Sequence, residues 1–318
     1  MAANTAGVNS AAVDTAGVGT IDVAPMSVHI GAEIGGVDLS KPLPEPQLTA
    51  LRSALLRWKV VFFRGQDLDH EAHVDLARCF GEPTPGHVVF GGEQSHPEVY
   101  SIAKHRTANS ASGPPLLRPW TGWHTDITAA HNPPSISILR SDVVPPYGCD
   151  TQWTNLAVAY DALSPTLRAF LDGLKATHRF APATGASATD AYRASVAANV
   201  LVAEHPLVTV HPETGERVLY ISPGFVRSIV GLAPAESHAL LELLWEHAVR
   251  PEFTVRFRWE PGSVAMWDNR ATAHLAPRDV FDTDFERQFW RVTILGEVPV
   301  GVDGEPSTLI EGSPIAAA

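Results

Sequence analysis

Phe253, Val255, Phe257 and Trp259 alternate with Thr254, Arg256 and Arg258. Successive side chains of a strand point to opposite faces, so this run predicts a β-strand with one apolar and one polar face. Such a strand is stable only when its apolar face meets another layer, which commits the chain to a packed β architecture. The neighbouring segments agree. Leu207-Val-Thr-Val210 and Val218-Leu-Tyr-Ile221 flank a Pro-Glu-Thr-Gly turn and predict a hairpin. Pro261-Gly262 turns the chain into Val264-Ala-Met-Trp267, and Arg291-Val-Thr-Ile-Leu295 predicts a further strand. Upstream, two short strands are expected within 27–40 around a Gly turn, a buried strand at Lys59–Arg64, and a half-buried one at Ser135–Leu139, where serine alternates with isoleucine.

Helices are expected where apolar residues recur at helical spacing. These are about 45–57 (Leu48, Leu51, Leu55), 70–80 (Val74, Ala77, Phe80), 165–174 (Leu167, Phe170, Leu171, Leu174) and 234–248 (Leu240, Leu241, Leu244, Trp245). Gly, Pro and Ser dominate 81–120, which reads as loops. No βαβ rhythm, internal repeat or linker divides the chain. The expected fold is mainly β with flanking helices (α+β), built on a double-stranded β-helix, or jelly-roll, core. One domain is expected over 21–318, with 1–20 a disordered tail and the Ala/Thr/Ser-rich 181–200 stretch a mobile lid.

The 318 residues are 45% hydrophobic and 18% charged, as in a globular protein. Lys+Arg of 23 against Asp+Glu of 35 gives a net charge of −12, which disfavours nucleic acid and anionic membranes as partners. A few buried arginines can still form a local pocket for a small anion. The two cysteines, Cys79 and Cys149, form no disulfide framework and read as buried thiols. No apolar run approaches the ~18 residues of a membrane span, and the N-terminus lacks the basic and apolar regions of a signal peptide. A cytoplasmic location is expected.

Trp123-His-Thr-Asp-Ile127 carries the strongest chemical signal. On an extended chain residues i and i+2 share a face, so His124 and Asp126 can offer a nitrogen and a carboxylate side by side. A distant histidine would complete a 2-His-1-carboxylate triad, which leaves coordination positions open. The pair by itself is common by chance in a chain with 14 histidines. His70-Glu-Ala-His73 is one residue short of a zincin motif, and no phosphate loop or Gly-x-Ser-x-Gly elbow is present.

Thr151 follows Asp126 after 24 residues; far downstream come Trp267-Asp-Asn-Arg-Ala-Thr-Ala-His274, Arg287 after a 12-residue gap, and Arg291. This ordered set resembles the taurine dioxygenase family of Fe(II)/2-oxoglutarate oxygenases. The resemblance spans about Ile30 to Val300, opening on Ile-Gly-Ala-Glu-Ile-Gly-Gly-Val-Asp-Leu. Val-Val-Phe-Phe-Arg-Gly, His-Pro-Glu-Thr-Gly-Glu-Arg and Phe-Val-Arg-Ser are most similar to the alkylsulfatase-type members.

The resemblance implies that His124, Asp126 and His274 bind Fe(II). It implies that Thr151 and Arg287 grip the distal carboxylate of 2-oxoglutarate, with Arg291 near both the co-substrate and the substrate anion. A planar guanidinium suits this role because it bonds a carboxylate bidentately. His87 is implied to bind a sulfonate or sulfate head, with the Ile127 N–H meeting it and Phe225 lining the pocket. Two positions depart from the taurine enzymes: Trp120 stands where they carry an Asn for the substrate amine, and Phe90 where they carry a Tyr. Both make the pocket more apolar and argue against taurine. The implied reaction consumes 2-oxoglutarate and O2, releases succinate and CO2, and hydroxylates a small anion. For an alkyl sulfate or sulfonate the product collapses to an aldehyde plus sulfate or sulfite. Carboxylates such as aryloxyalkanoates satisfy the same arginine and histidine. A zinc hydrolase and a catalytically silent binding protein remain open as other classes, whereas a halogenase is disfavoured because Asp126 fills the position a halide needs. A homo-oligomer, dimer or tetramer, is expected from the family.

Overall fold

A computed structural model describes residues 21–103, 118–180, 190–277, 279–280 and 283–318. Its first part runs β1 (Asp22–Pro25), β2 (Ala32–Gly35), α1 (Glu45–Trp58), β3 (Val60–Phe63), α2 (His70–Arg78) and β4 (Tyr100–Ala103). The middle runs β5 (Ile136–Val143), β6 (Thr151–Asn155), α3 (Leu156–Asp161), α4 (Pro165–Leu171), β7 (Lys175–Arg179), α5 (Asp190–Ala198), β8 (Val202–Pro206), β9 (Val208–Val210) and β10 (Arg217–Leu219). Then follow β11 (Val226–Ile229), α6 (Pro234–Ala248), β12 (Thr254–Phe257), β13 (Val264–Asp268), β14 (Thr272–Leu275), β15 (Gln288–Ile294) and β16 (Thr308–Glu311).

Among the described residues the largest sheet has the order β1-β2-β3-β13-β5-β15-β4, and a smaller one the order β12-β6-β14. The two face each other as the walls of a jelly roll. Period-2 alternation sorts the large sheet's side chains between two cores. Val60 and Phe62 of β3 point inward with Ala265, Trp267, Leu139 and Phe289, meeting Trp153, Val255 and Phe257 of the small sheet. Val61 and Phe63 point outward with Ile136, Ile138, Met266 and Ile294, against Leu51 and Leu55 of α1 and Val74 and Ala77 of α2. Phe62 stacks on Phe257 at 4.1 Å, closing the space between the walls. Because β3 is buried on both faces it reads as a continuous apolar run. A third core joins α3 and α6 to the β9–β10 hairpin through Leu156, Tyr160, Leu241, Leu244, Val208 and Leu219.

The hairpin forms as expected, with Val208 opposite Leu219. Phe253, Val255, Phe257 and Trp259 are all buried while Arg256 and Arg258 are exposed. Other expectations fail for identifiable reasons. Ser27–Ile30 is a bend rather than a strand, since Ser27 Oγ accepts from Ile30 N–H and its own hydroxyl donates to Ile30 O. Strand β4 lies inside the stretch read as loops, and α5 inside the stretch read as a lid. The tail at 1–20 and the 181–189 part of that lid lie outside the described residues. Helix α4 stops at Leu171, leaving Phe170 half exposed. Cys149 is buried, but Cys79 is exposed at the end of α2, where its thiol donates to Asp75 O. The serines of the Ser135–Leu139 run do not face solvent: Ser135, just before β5, and Ser137, on it, are buried, because both faces of this central strand are covered.

Several buried histidines make folding pH-dependent. Burial pushes His73 down to about 3 and His205 down to about 4 from an ordinary 6.5. His178 is also lowered, by burial and by neighbouring His205 and Arg227. Below pH 6.5 the unfolded chain takes up protons that these imidazoles refuse in the fold. Their stabilisation is therefore complete above that pH and is lost as pH falls toward 4, by up to about 1.4 kcal/mol per group and pH unit. The urea midpoint is expected to drop clearly between pH 7.5 and 5, a window in which ordinary carboxylates stay ionised. An unchanged or rising midpoint would contradict this.

Candidate active site

His124 is carried into place by a β-bridge to His274. The His124 N–H donates to His274 O at 2.9 Å and the His274 N–H returns to His124 O at 2.7 Å. Strand β14 in turn pairs with β6, setting His274 opposite Trp153, two residues from Thr151. Buried Thr125, between His124 and Asp126, pins the segment from both sides. Its N–H donates to Ser222 Oγ at 3.0 Å and its hydroxyl to Thr272 O at 2.7 Å. The opposite side of His124 is closed by Gly224, where an added Cβ would stand 3.1 Å from His124 Cβ. After Asp126 the chain turns sharply through Ile127, at φ +46°. That is an unusual conformation for a β-branched residue, and it persists only where the surroundings enforce it.

The three side chains converge. One donor atom from each of His124, Asp126 and His274 lies within 4.8 Å of the others, the only such group among the described residues. His124 Nδ1 lies 3.0 Å from Gly122 O. A carbonyl only accepts, so Nδ1 donates there, and in the tautomer this selects, Nε2 is the nitrogen with the lone pair. His274 is wedged between Trp267 and His124, with ring centroids at 4.9 and 4.2 Å. Its Nε2 is 4.0 Å from Asp126 Oδ1, and its buried Nδ1 has no hydrogen-bond partner among the described residues. Burial and the neighbouring His124 push His274 down to about 3, so it is neutral at physiological pH. Burial alone would raise the Asp126 carboxyl. The Arg291 guanidinium, the two imidazoles and the Ser137 hydroxyl outweigh it and hold the group well below the usual carboxylate range. Asp126 and His274 thus present lone pairs at neutral pH. Two nitrogens and one carboxylate, without thiolate, suit a non-haem Fe(II) site with open positions.

Arg291 lies on β15 and Arg287 immediately before it. Arg291 Nη1 donates to Asp126 Oδ1 at 2.6 Å. Arg287 is buried over the ring of Phe289 at 4.6 Å, its Nε without a partner among the described residues. Cys149, two residues before Thr151, lies close enough for Arg287 to act on its thiol, which burial otherwise raises. Thr151 Oγ1 accepts from Trp259 Nε1 at 2.9 Å, and Trp259 packs on Phe289 at 4.8 Å. Thr151 and Arg287 are therefore joined through one aromatic floor, Trp259 and Phe289, and a hydroxyl and a buried cation on it fit a carboxylate ligand.

His87, Phe90, Ile127 and Phe225 gather on the far side. His87 packs on Phe90 at 4.5 Å, and Ile127 and Phe225 share one buried cluster. Trp120 stands apart from them, packing on Trp245 at 6.0 Å. Two residues that sequence reasoning missed complete the wall. Phe180 contacts His87, Phe90 and Phe225 at 6.1, 6.4 and 5.9 Å. Tyr100 on β4 lies opposite Arg291 in register, with His87 at 5.0 Å. A lone Phe and a Tyr in a loop-like stretch carry no local signal.

These features fit a mononuclear iron oxygenase site on a jelly roll. The chain belongs to the taurine catabolism dioxygenase TauD, TfdA family, whose model matches residues 22–293. It is an Fe(II)- and 2-oxoglutarate-dependent dioxygenase that uses O2, and the zinc-hydrolase and silent-binding alternatives give way. It is 41% identical over 295 residues to an alpha-ketoglutarate-dependent sulfate ester dioxygenase of Pseudomonas putida, covering 90% of this chain and 93% of that one. It is 34% identical to an alkylsulfatase of Acinetobacter baylyi, covering 89% and 88%. A crystal structure of a taurine dioxygenase from Burkholderia xenovorans superposes with a TM-score of 0.82 at 62% identity, covering 92% and 96%. Among the described residues no helix is long and apolar enough to cross a membrane.

Proposed function

We propose that this enzyme hydroxylates an alkyl sulfate or alkyl sulfonate at the carbon bearing the sulfur group, releasing an aldehyde with sulfate or sulfite. The observation that carries this reading is a continuous line of contacts leading away from Asp126. Arg291 lies over Tyr100 at 5.5 Å, Tyr100 on His87 at 5.0 Å, His87 on Phe90 at 4.5 Å, and Phe180 joins Phe90 to Phe225. A cation and an imidazole stand at one end, for the anion, and an aromatic wall at the other, for an apolar tail. Phe90 offers an ammonium group no carboxylate or amide, which disfavours taurine. The names of the Pseudomonas and Acinetobacter relatives support the same substrate class.

In this reading His124, Asp126 and His274 hold the iron, and Thr151 and Arg287 hold the distal carboxylate of 2-oxoglutarate. Iron with bound 2-oxoglutarate supplies the oxidising chemistry, in which O2 and 2-oxoglutarate become succinate and CO2 as a substrate C–H becomes C–OH. The chain's own residues do the rest. Arg291 and His87 fix the anionic head, the Ile127 N–H is set to meet it, and Phe90, Phe180 and Phe225 exclude water from the tail. Helix α5 covers this wall, with Ser195 Oγ donating to Val89 O at 2.8 Å and Val196 packed in the same cluster. It is the element we assign to closure over bound substrate. A cytoplasmic homo-oligomer completes the proposal.

A carboxylate reading has one specific support: the aromatic wall would equally stack an aryl ring, and a 2,4-dichlorophenoxyacetate dioxygenase of Cupriavidus pinatubonensis is 28% identical. Succinate, sulfate and aldehyde release measured over alkyl sulfates, alkanesulfonates, taurine and aryloxyalkanoates separates the two. Sulfate and succinate are expected in equal amounts from a medium-chain alkyl sulfate. Turnover confined to aryloxyalkanoates would sink the sulfur reading.

A further inference from the structure

Asp126 stands at the end of a chain of buried hydrogen bonds whose direction is fixed from its other end. An indole N–H can only donate, and Trp267 Nε1 donates to Asn269 Oδ1 at 2.9 Å. This orients the Asn269 amide, so that its Nδ2 donates to Ser137 Oγ at 2.8 Å. The Ser137 hydroxyl is left to donate to Asp126 Oδ2 at 2.6 Å. All four side chains are buried, so no bulk water competes for these bonds. The other carboxylate oxygen, Oδ1, accepts from Arg291 Nη1 at 2.6 Å and lies 4.0 Å from His274 Nε2.

Ser137 owes its position to the sheet. On β5 it lies opposite Trp267 of β13 on one side and Thr293 of β15 on the other. It shares its face with Leu139, which points into the jelly-roll interior. A buried hydroxyl costs stability at such a position unless it is bonded. Here its donor and one acceptor site are both engaged, by Asp126 and Asn269. Ser137 has so far entered only as one of the groups that lower the Asp126 carboxyl, and Asn269 not at all.

We propose that Trp267, Asn269 and Ser137 form a positioning relay that holds Asp126 Oδ2 in place, so that Oδ1, on the side of His274, is the oxygen offered to a metal. The inference rests on Asp126 being a metal ligand. Ser137 acts through Asp126 and touches neither metal nor substrate.

Cobalt(II) is a spectroscopic probe that needs no turnover. The purified full chain, stripped of metal, is titrated with Co(II) and followed by visible absorption for the wild type, Ser137→Ala, Trp267→Phe and Asp126→Ala. Ser137→Ala is expected to weaken Co(II) binding about 10–100-fold, the usual effect of losing a partner behind a ligand. Its Co(II) bands should also shift as the freed carboxylate changes how it binds. Trp267→Phe keeps a ring in the core but removes the N–H that orients Asn269, and should weaken binding less. Wild-type affinity with unchanged bands in Ser137→Ala overturns the relay. If Ser137→Ala does not fold, unchanged affinity and bands in Trp267→Phe overturn it. Wild-type affinity in Asp126→Ala removes the ligand assignment beneath it, which is a different failure.

Discussion

Asp126→Ala is expected to abolish succinate formation and the visible charge-transfer band of Fe(II) with 2-oxoglutarate under anaerobic conditions. Losing a ligand should cost well beyond the roughly 100-fold that losing a ligand's supporting partner costs. The substitution has a second consequence that follows from burial. Arg291 and Asp126 form an ion pair with side chains 9% and 2% exposed. Breaking a buried pair by removing one partner typically destabilises by about 3–5 kcal/mol, because the surviving charge is left unpaired. The metal-free variant should therefore unfold at clearly lower urea concentration than the metal-free wild type. Asp126→Asn keeps an acceptor for Ser137 and separates lost charge from lost hydrogen bonding. Wild-type rates of succinate release in Asp126→Ala would refute the assignment outright.

Arg287→Ala is expected to raise the KM for 2-oxoglutarate far more than it lowers kcat, since the distal carboxylate is held alike in ground and transition states. Two charge-assisted bonds at about 1.5–3 kcal/mol each correspond to roughly 10²–10⁴ in KM, at tenfold per about 1.4 kcal/mol. Arg287→Lys keeps the charge without the fork and should fall between. The free protein provides an independent check. Arg287 is buried against Phe289 with Nε unpartnered, and no carboxylate among the described residues pairs with it. An apolar residue of similar length there relieves a buried, unpaired charge. Arg287→Met should therefore leave the co-substrate-free protein as stable as the wild type or more so, while impairing 2-oxoglutarate use. A clear loss of stability together with an unchanged KM would show that Arg287 is structural.

The sites legible in the sequence were those whose chemistry is carried by residue type. His124, Asp126, Thr151, His274, Arg287 and Arg291 stand in one order along the chain and gather around one interior. Ser137 was misread because its serine–isoleucine alternation looks like a half-solvated strand. The hydroxyl face of β5 is covered by the small sheet and its polar group is satisfied by Asp126, which no local pattern reports. Tyr100 was missed because β4 is an edge strand of the large sheet, set in a Gly- and Pro-rich stretch. Its position across from Arg291 depends on pairing with a strand nearly two hundred residues away.

Side-chain alternation is a property of neighbouring residues, so the sequence determined by itself that the run from Phe253 to Trp259 buries one face, although only Thr254–Phe257 of it is strand, and that the chain must build facing sheets. The same sequence determined which side chains could hold iron and a carboxylate. Tertiary structure alone decided that β13 and β15 flank β5, that His124 bridges His274, and that an indole, an amide and a hydroxyl line up behind Asp126. The reason is that strand partner and register are set by burial across distant segments. A hydrogen-bond chain between strands exists only once that register is fixed.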